Sequence, residues 1–322
     1  MIRAGIVGGA GYTGGELLRL LLRHPGVEIV FVSSRSQAGK AVYTAHRDLT
    51  GETELLFRKE PVFDSDVLFL CMGHGESQRF FQNNEVPSSL KIIDLSRDFR
   101  FTTHPSRSFV YGLPEAYREQ IKNAANIANP GCFATSIELA LLPLAGRSML
   151  TQPVHVSGIT GSTGAGQQPT ATTHFSWRDS NISLYKPFRH QHLDEVRETL
   201  KAAQKSALPD IRFLPFRGNF TRGILSAVYT SVEGDLQEIK QEYINYYAAH
   251  PFVTVVDENP DVKQVVNTNK AFLYLDKQDD QLLIVSVIDN LLKGASGQAV
   301  QNMNLIFGLE ETAGLELKGS GF

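Results

Sequence analysis

The 322-residue sequence predicts an α/β protein: a doubly wound parallel unit followed by an α+β unit. Three observations carry this. Short apolar runs alternate with helical patterns over the first 130 residues, which implies βαβ units and a parallel sheet covered on both faces. A glycine-rich turn joins the first apolar run to the first helix. Beyond residue 200, β-branched runs follow one another with a single helical pattern among them, as in a largely antiparallel sheet.

In chain order, residues 2–8 form an apolar run ending in glycines, and Leu17, Leu18, Leu21 and Leu22 recur at helical spacing within 13–23. Strands are expected at 27–32, 67–70 and 91–94, with a polar helix at 76–83. Helical periodicity at 132–145 is followed by a strand at 154–159 and a small-residue loop at 161–166. A helix at 192–203 then precedes strands at 211–215, 224–231, 271–275 and 282–288, with a helix at 236–248 between the second and third. A last helix, 291–307, returns to the first domain, giving expected domains of 1–130 plus 291–322 and 131–290.

The composition, 42% hydrophobic and 20% charged, is that of a soluble protein with a sizeable core and argues against disorder, collagen-like repeats or a coiled coil. No apolar run is long enough for a bilayer, and the N-terminus lacks the charged and apolar regions of a signal peptide. A formal charge of -3 from intermixed residues offers nothing to nucleic acid or anionic lipid. Two cysteines, Cys71 and Cys132, are too few for a disulfide framework or a cysteine zinc site. A cytoplasmic location, a small-molecule partner and no bound metal are expected.

Gly9, Gly11 and Gly14 fit G-x-G-x-x-G at a strand-to-helix turn, with Tyr12 and Thr13 between the last two. Glycine there allows a tight turn, a close approach to pyrophosphate and close helix–strand packing, while the helix N-terminus offers unpaired N–H groups. The unit is therefore Rossmann-like. Where an NAD site places a carboxylate after the second strand, this chain has Ser33, Ser34 and Arg35, which suit the 2′-phosphate of NADP. A tight structural turn and a solvated polar loop are the alternatives.

Cys132 follows Asn129-Pro130-Gly131 where a helical pattern begins. A helix N-terminus stabilises a thiolate, so Cys132 is a candidate nucleophile, with core filler as the other reading. Cys71, within an apolar strand, reads as core. His190 and His192, ahead of Glu195, read either as acid/base groups or as surface histidines at a helix start.

Several motifs together resemble the N-acetyl-gamma-glutamyl-phosphate reductases, within the aspartate-semialdehyde dehydrogenase-like group. They include the glycine turn, Ser33 to Lys40, Asp94 to Arg100, Tyr111 to Glu115, Asn129 to Thr135, Gly161 to Gly166, His190 with His192 and Glu195, and Asp289 to Asn304. The resemblance implies NADPH-dependent reduction of an acyl phosphate to a semialdehyde in arginine biosynthesis, through a thioester on Cys132. It implies His190 as acid/base, with Arg100, His192 and Glu195 toward the substrate. Ser162, Gly164, Asn290 and Lys293 would lie toward the cofactor, in a homodimer or homotetramer.

Two departures bear on the substrate. Gln191 stands where the family commonly has arginine between the histidines, and Gln167 follows Gly166 where another arginine is common. N-acetyl and N-succinyl substrates are both open, as is an aminoadipate-type analogue. Aspartate-semialdehyde dehydrogenase is the rival enzyme, and an NADP-binding sensor the rival without catalysis.

Overall fold

A computed structural model describes residues 1–102 and 104–321. The chain packs as two compact units. Of the described residues, the first comprises those of Met1–Pro130 with Ala295–Glu316; the second comprises Gly131–Gly294 with residues 317–321. Packing thus groups residues 291–294 and 317–321 with the second unit, rather than with the first as expected from the sequence. Residue 322, the end of the expected 291–322 segment, lies outside the described residues.

The first unit contains β1 (Ile2–Val7), α1 (Tyr12–Leu21), β2 (Val27–Ser33), β3 (Phe57–Arg58), β4 (Val67–Leu70), α2 (Glu76–Asn83), β5 (Lys91–Asp94), β6 (Val110–Tyr111), α3 (Pro114–Lys122) and β7 (Asn126–Ala128). Its sheet runs β3-β2-β1-β4-β5-β7-β6 with every pair parallel. The order 3-2-1-4-5 is that of dinucleotide-binding sheets. Central strands of such sheets are covered on both faces, and all four residues of β4 are buried. In α1 the leucines Leu17, Leu18, Leu20 and Leu21 are buried, and Pro25 stops the chain from continuing as helix.

The expected helix 291–307 is interrupted. Leu292–Ser296 winds as a wide π-helical turn, and the α-helix spans Gly297–Ile306. Every residue of that helix is buried, so its polar side chains must find partners inside the unit. Asn302 donates to Gly112 O at 2.8 Å and to Asn129 Oδ1 at 3.1 Å; Asn304 donates to the Glu311 and Ala313 carbonyls and meets His24 Nε2 at 3.0 Å.

The second unit contains α4 (Cys132–Gly146), β8 (Val154–Thr160), α5 (Phe175–Arg178), β9 (Ser183–Leu184), α6 (His192–Ala203), β10 (Ile211–Arg217), β11 (Ile224–Ser231), α7 (Leu236–Tyr247), β12 (Val253–Val256), β13 (Ala271–Gln278) and β14 (Gln281–Ile288). The sheet order is β12-β13-β14-β11-β8-β10-β9. Pairs β10–β8 and β12–β13 are parallel; the other four are antiparallel, so the largely antiparallel expectation holds.

Helix α4 is buried on nearly every side and carries Pro143 inside it. Proline has no N–H for the carbonyl four residues back, that of Leu139. The Tyr247 hydroxyl from α7 donates to Leu139 O at 2.5 Å, and Tyr243 does the same for Ala140 O at 2.6 Å. Two tyrosines therefore satisfy the carbonyls around the proline.

Candidate active site

In the first unit the glycine turn is shaped by three separate constraints. A Cβ at Gly9 would stand 2.1 Å from Val32 Cγ1, and one at Gly14 would stand 2.6 Å from Gly9 Cα. Both glycines are therefore required by the protein's own packing. Gly11 is different: its nearest neighbour would be Gly8 O at 3.8 Å, so the space beside it is open. Open backbone at the second glycine of the motif is what a pyrophosphate approaching the turn needs. Gly11 begins α1 without a side-chain cap and with no acid in the first turn, which leaves the helix N-terminus to an anion. Tyr12 is exposed and Thr13 half-buried at that end.

The Ser33 carbonyl ties the turn to β2, accepting from Gly8 N at 3.1 Å and Gly9 N at 2.9 Å. The Ser33 side chain is buried, Ser34 is half-buried and Arg35 is exposed. His46, absent from the sequence reading, is buried behind the turn and meets Gly9 O through Nε2 at 2.8 Å; burial depresses its pKa. These residues fit a phosphorylated dinucleotide.

Arg100 is buried in the same unit, its Nε donating to Asn129 O at 2.9 Å and one terminal nitrogen to Leu95 O at 3.3 Å. Nearby Asp94 is buried, which lifts its carboxyl pKa to about 6 against the opposing bonds from Ser77 and Ser96 and the charge of Arg100.

In the second unit Cys132 is the first residue of α4, and Gly131 is its extended cap. No side chain from that cap bonds back to the helix start. Instead Glu195 Oε2, from the first turn of α6, accepts from Gly131 N at 2.8 Å. A Cβ on Gly131 would stand 2.4 Å from His192 Nε2, so glycine is what admits the imidazole. Glu195 and His192 thus brace the residue before the thiol. Gly294 lies on another side, where a Cβ would be 2.8 Å from Cys132 Cβ. The π-helical turn, closed by Gly294 N to Asp289 O at 2.9 Å, is what seats that glycine there.

His190 and His192 are both buried, 5% and 7% exposed, so the surface reading fails. Their ring centroids are 4.6 Å apart, and His190 also packs edge-on to Phe133, Tyr185 and Phe213. Burial, with the charges of Lys186 and Arg217, lowers the His190 pKa to about 4. His190 Nδ1 accepts from His192 N at 3.3 Å, which puts the proton of the neutral ring on Nε2.

Tyr185 and Arg217, both missed in the sequence, join this cluster. Pairing of β9 with β10 sets Ser183 opposite Arg217, and the Arg217 guanidinium stacks over the Tyr185 ring at 4.7 Å. Burial raises the Tyr185 pKa, followed by the charge of Cys132. The thiol of Cys71, a half-buried residue, is by contrast pushed well up by desolvation.

The loop after β8 holds Ser162 half-buried and Gly164 exposed. Asn290 reaches it: Nδ2 donates to Thr163 Oγ1 at 3.0 Å, while Oδ1 accepts from Gly223 N at 2.8 Å. Lys293 is completely buried. Among the described residues no group of three or more potential metal ligands converges.

Residues 3–124 match the family model described as semialdehyde dehydrogenase, NAD binding domain, and 132–290 the one described as semialdehyde dehydrogenase, dimerisation domain. A protein of Parabacteroides distasonis named N-acetyl-gamma-glutamyl-phosphate reductase is 57% identical over the whole of both chains. One of the same name from Bacteroides fragilis is 54% identical, again over both full lengths. Aspartate semialdehyde dehydrogenase II of Vibrio cholerae shares the fold, with a TM-score of 0.72 over 96% of this chain and 99% of that one at 16% identity. The Candida albicans aspartate semialdehyde dehydrogenase also has a TM-score of 0.72, at 14% identity, covering 96% and 99% of the two chains. The chain belongs to the N-acetyl-gamma-glutamyl-phosphate reductase family of semialdehyde dehydrogenases.

Proposed function

We propose that the chain reduces N-acetyl-γ-glutamyl phosphate to the 5-semialdehyde with release of phosphate, using NADPH, as a cytoplasmic homo-oligomer in arginine biosynthesis. The observation that carries this is a thiol opening a buried helix beside a buried, neutral imidazole, in a family whose relatives bear that reductase name. NADPH, when bound, supplies the hydride.

Cys132 attacks the acyl phosphate carbonyl as a thiolate favoured by the α4 N-terminus. The C–O bond to phosphate breaks, leaving a thioester, and the phosphate takes up one proton. After hydride addition the thiohemiacetal oxygen carries negative charge; its collapse expels the Cys132 thiolate and frees the aldehyde. His190, with its proton on Nε2, serves as a neutral hydrogen-bond donor to that oxyanion. His192 and Glu195 act one step back, through Gly131, by holding the thiol-bearing turn. Asn290 holds the small-residue loop in place through Thr163 and Gly223. Arg100 presents a guanidinium to phosphate or carboxylate. Gly9, Gly11, Tyr12, Thr13, Gly14, Ser33, Ser34 and Arg35 hold the dinucleotide, with Ser162, Gly164 and Lys293 toward its reactive end.

The test runs the reaction in reverse. NADPH formation from N-acetylglutamate semialdehyde and NADP is expected only when phosphate is present. The N-succinyl semialdehyde is run alongside: activity with it alone would keep the mechanism and change the acyl group, while silence with both would turn to the aminoadipate-type analogue, aspartate semialdehyde or the sensor.

A further inference from the structure

We propose that Arg217 and Lys186 form an oxyanion subsite beside His190 that holds a phosphate or carboxylate group of the substrate. The proposal rests on the acyl-phosphate reading above and names residues that no motif in the sequence assigns.

Three arginines that serve packing spend their terminal guanidinium nitrogens or Nε on carbonyls, a hydroxyl or a carboxylate. Arg107 is buried and spreads its guanidinium over the carbonyls of Val86, Pro87 and Leu90 and over Asn126 Oδ1. Arg178 is held by the Arg217, Gly218 and Asn181 carbonyls and Ser183 Oγ; Arg222 pairs with buried Asp289 at 3.0 Å. Arg217 differs. It is half-buried, its Nε is buried without a partner as is that of Arg178, but no carbonyl among the described residues holds its terminal nitrogens, and its guanidinium engages the Tyr185 phenol and ring. Among the described residues no carboxylate lies within ion-pair distance of it, and a desolvated cation without a counter-charge is costly.

Lys186 brings a second positive charge to the same place. Its ammonium donates to Gln191 Oε1 at 3.2 Å, a neutral partner, and it too lacks an acid among the described residues. Lys186 has φ 44° and Phe188 φ 58°, a left-handed backbone that L-residues adopt at a cost and that functional segments retain. Both cations are close enough to His190 to disfavour its protonation. Lys186, exposed, follows Tyr185 and reaches Gln191 beside His190, while Arg217 lies over Tyr185, so an anion next to His190 would meet both charges. Gln191, between the two histidines, holds this lysine. Residues 191 and 167 are glutamines, so the positive charge beside His190 comes from residues 186 and 217.

Three substrate groups share this chemistry: the phosphate, the α-carboxylate, and the distal carboxylate of an N-succinyl group. The experiment measures the reverse reaction of the full-length wild type, Arg217→Met, Arg217→Lys and Lys186→Met. NADP, phosphate and the N-acetyl and N-succinyl semialdehydes are varied in turn. Removing one charged hydrogen-bond donor is expected to raise one KM by roughly 10- to 100-fold while the KM for NADP stays put, with Arg217→Lys retaining part of the affinity. A rise in the KM for phosphate assigns the phosphate. An equal rise for both semialdehydes assigns the α-carboxylate, and a rise confined to the N-succinyl compound assigns the distal carboxylate. Unchanged KM values, or a loss of kcat alone, would overturn the subsite. Inactive wild type with every substrate would instead overturn the reductase reading on which it rests.

Discussion

Replacing His190 by asparagine should remove much of the acid sensitivity of the fold. The imidazole, ordinarily near 6.5, is depressed to about 4 by burial and by the Lys186 and Arg217 charges. Its folded pKa lies below its unfolded one, so its neutral state is fully compatible with the fold above about pH 6.5. Stability is lost as pH falls from there toward 4. At about pH 5 the unfolded ring is almost fully protonated and the folded ring hardly at all. The native state is then about 2 kcal/mol less stable, through this one residue, than at about pH 7.5. Asp94 works in the opposite sense: its carboxyl is raised to about 6, so acidification between those pH values favours the folded state. His24 and His46, also depressed by burial, add to the acid loss. These contributions are common to wild type and variant and cancel in the difference. Urea unfolding of both proteins at the two pH values gives the comparison. The wild type should lose about 2 kcal/mol more than His190→Asn on acidification. Equal losses would refute a buried, neutral His190, and with it the Nε2–H donor assigned to the reaction.

Two glycines of the turn should separate packing from ligand approach. Gly9→Ala drives a Cβ to 2.1 Å from Val32 and should destabilise the fold by about 1–3 kcal/mol; Gly11→Ala meets nothing closer than 3.8 Å and should leave thermal unfolding unchanged while raising the KM for NADP. Comparable destabilisation by both would contradict the distinction. Tyr247→Phe strands the Leu139 carbonyl that Pro143 leaves free, and should cost about 1–3 kcal/mol in urea unfolding with KM values unchanged.

What the sequence revealed, and what it hid, follows from the range over which each signal acts. The strands at 67–70, 91–94 and 224–231 and the start of α4 at Cys132 were legible because an apolar run or a Pro-Gly break announces them locally. Strands β3, β6 and β7 are only two or three residues long, too short for alternation to register. Helix α3, polar and with non-helical angles at Tyr117, lacks a clear apolar stripe. The break at Leu292–Ser296 passed for helix because its residues are good helix formers apart from Gly294; the requirement that displaces them is close packing against Cys132.

The site divided in the same way. Cys132, His190 and Glu195 stand in recognisable motifs, and the structure gathers them around Gly131 and Phe133. Their work is finer than motif matching suggested, since Glu195 and His192 engage the backbone turn before the thiol. Tyr185 and Arg217 are 32 residues apart and meet only because β9 pairs with β10 in one particular register. No local pattern encodes that pairing.

In this mechanism Cys132 carries the acyl group. Wild type and Cys132→Ser should be mixed with N-acetyl-γ-glutamyl phosphate in the absence of NADPH, and phosphate release followed together with intact protein mass. A rapid burst of one phosphate per subunit is expected in the wild type, with one N-acetylglutamyl group gained on the peptide bearing Cys132, and neither in the serine variant. A burst that survives in Cys132→Ser, or an acyl group found on another residue, would contradict it.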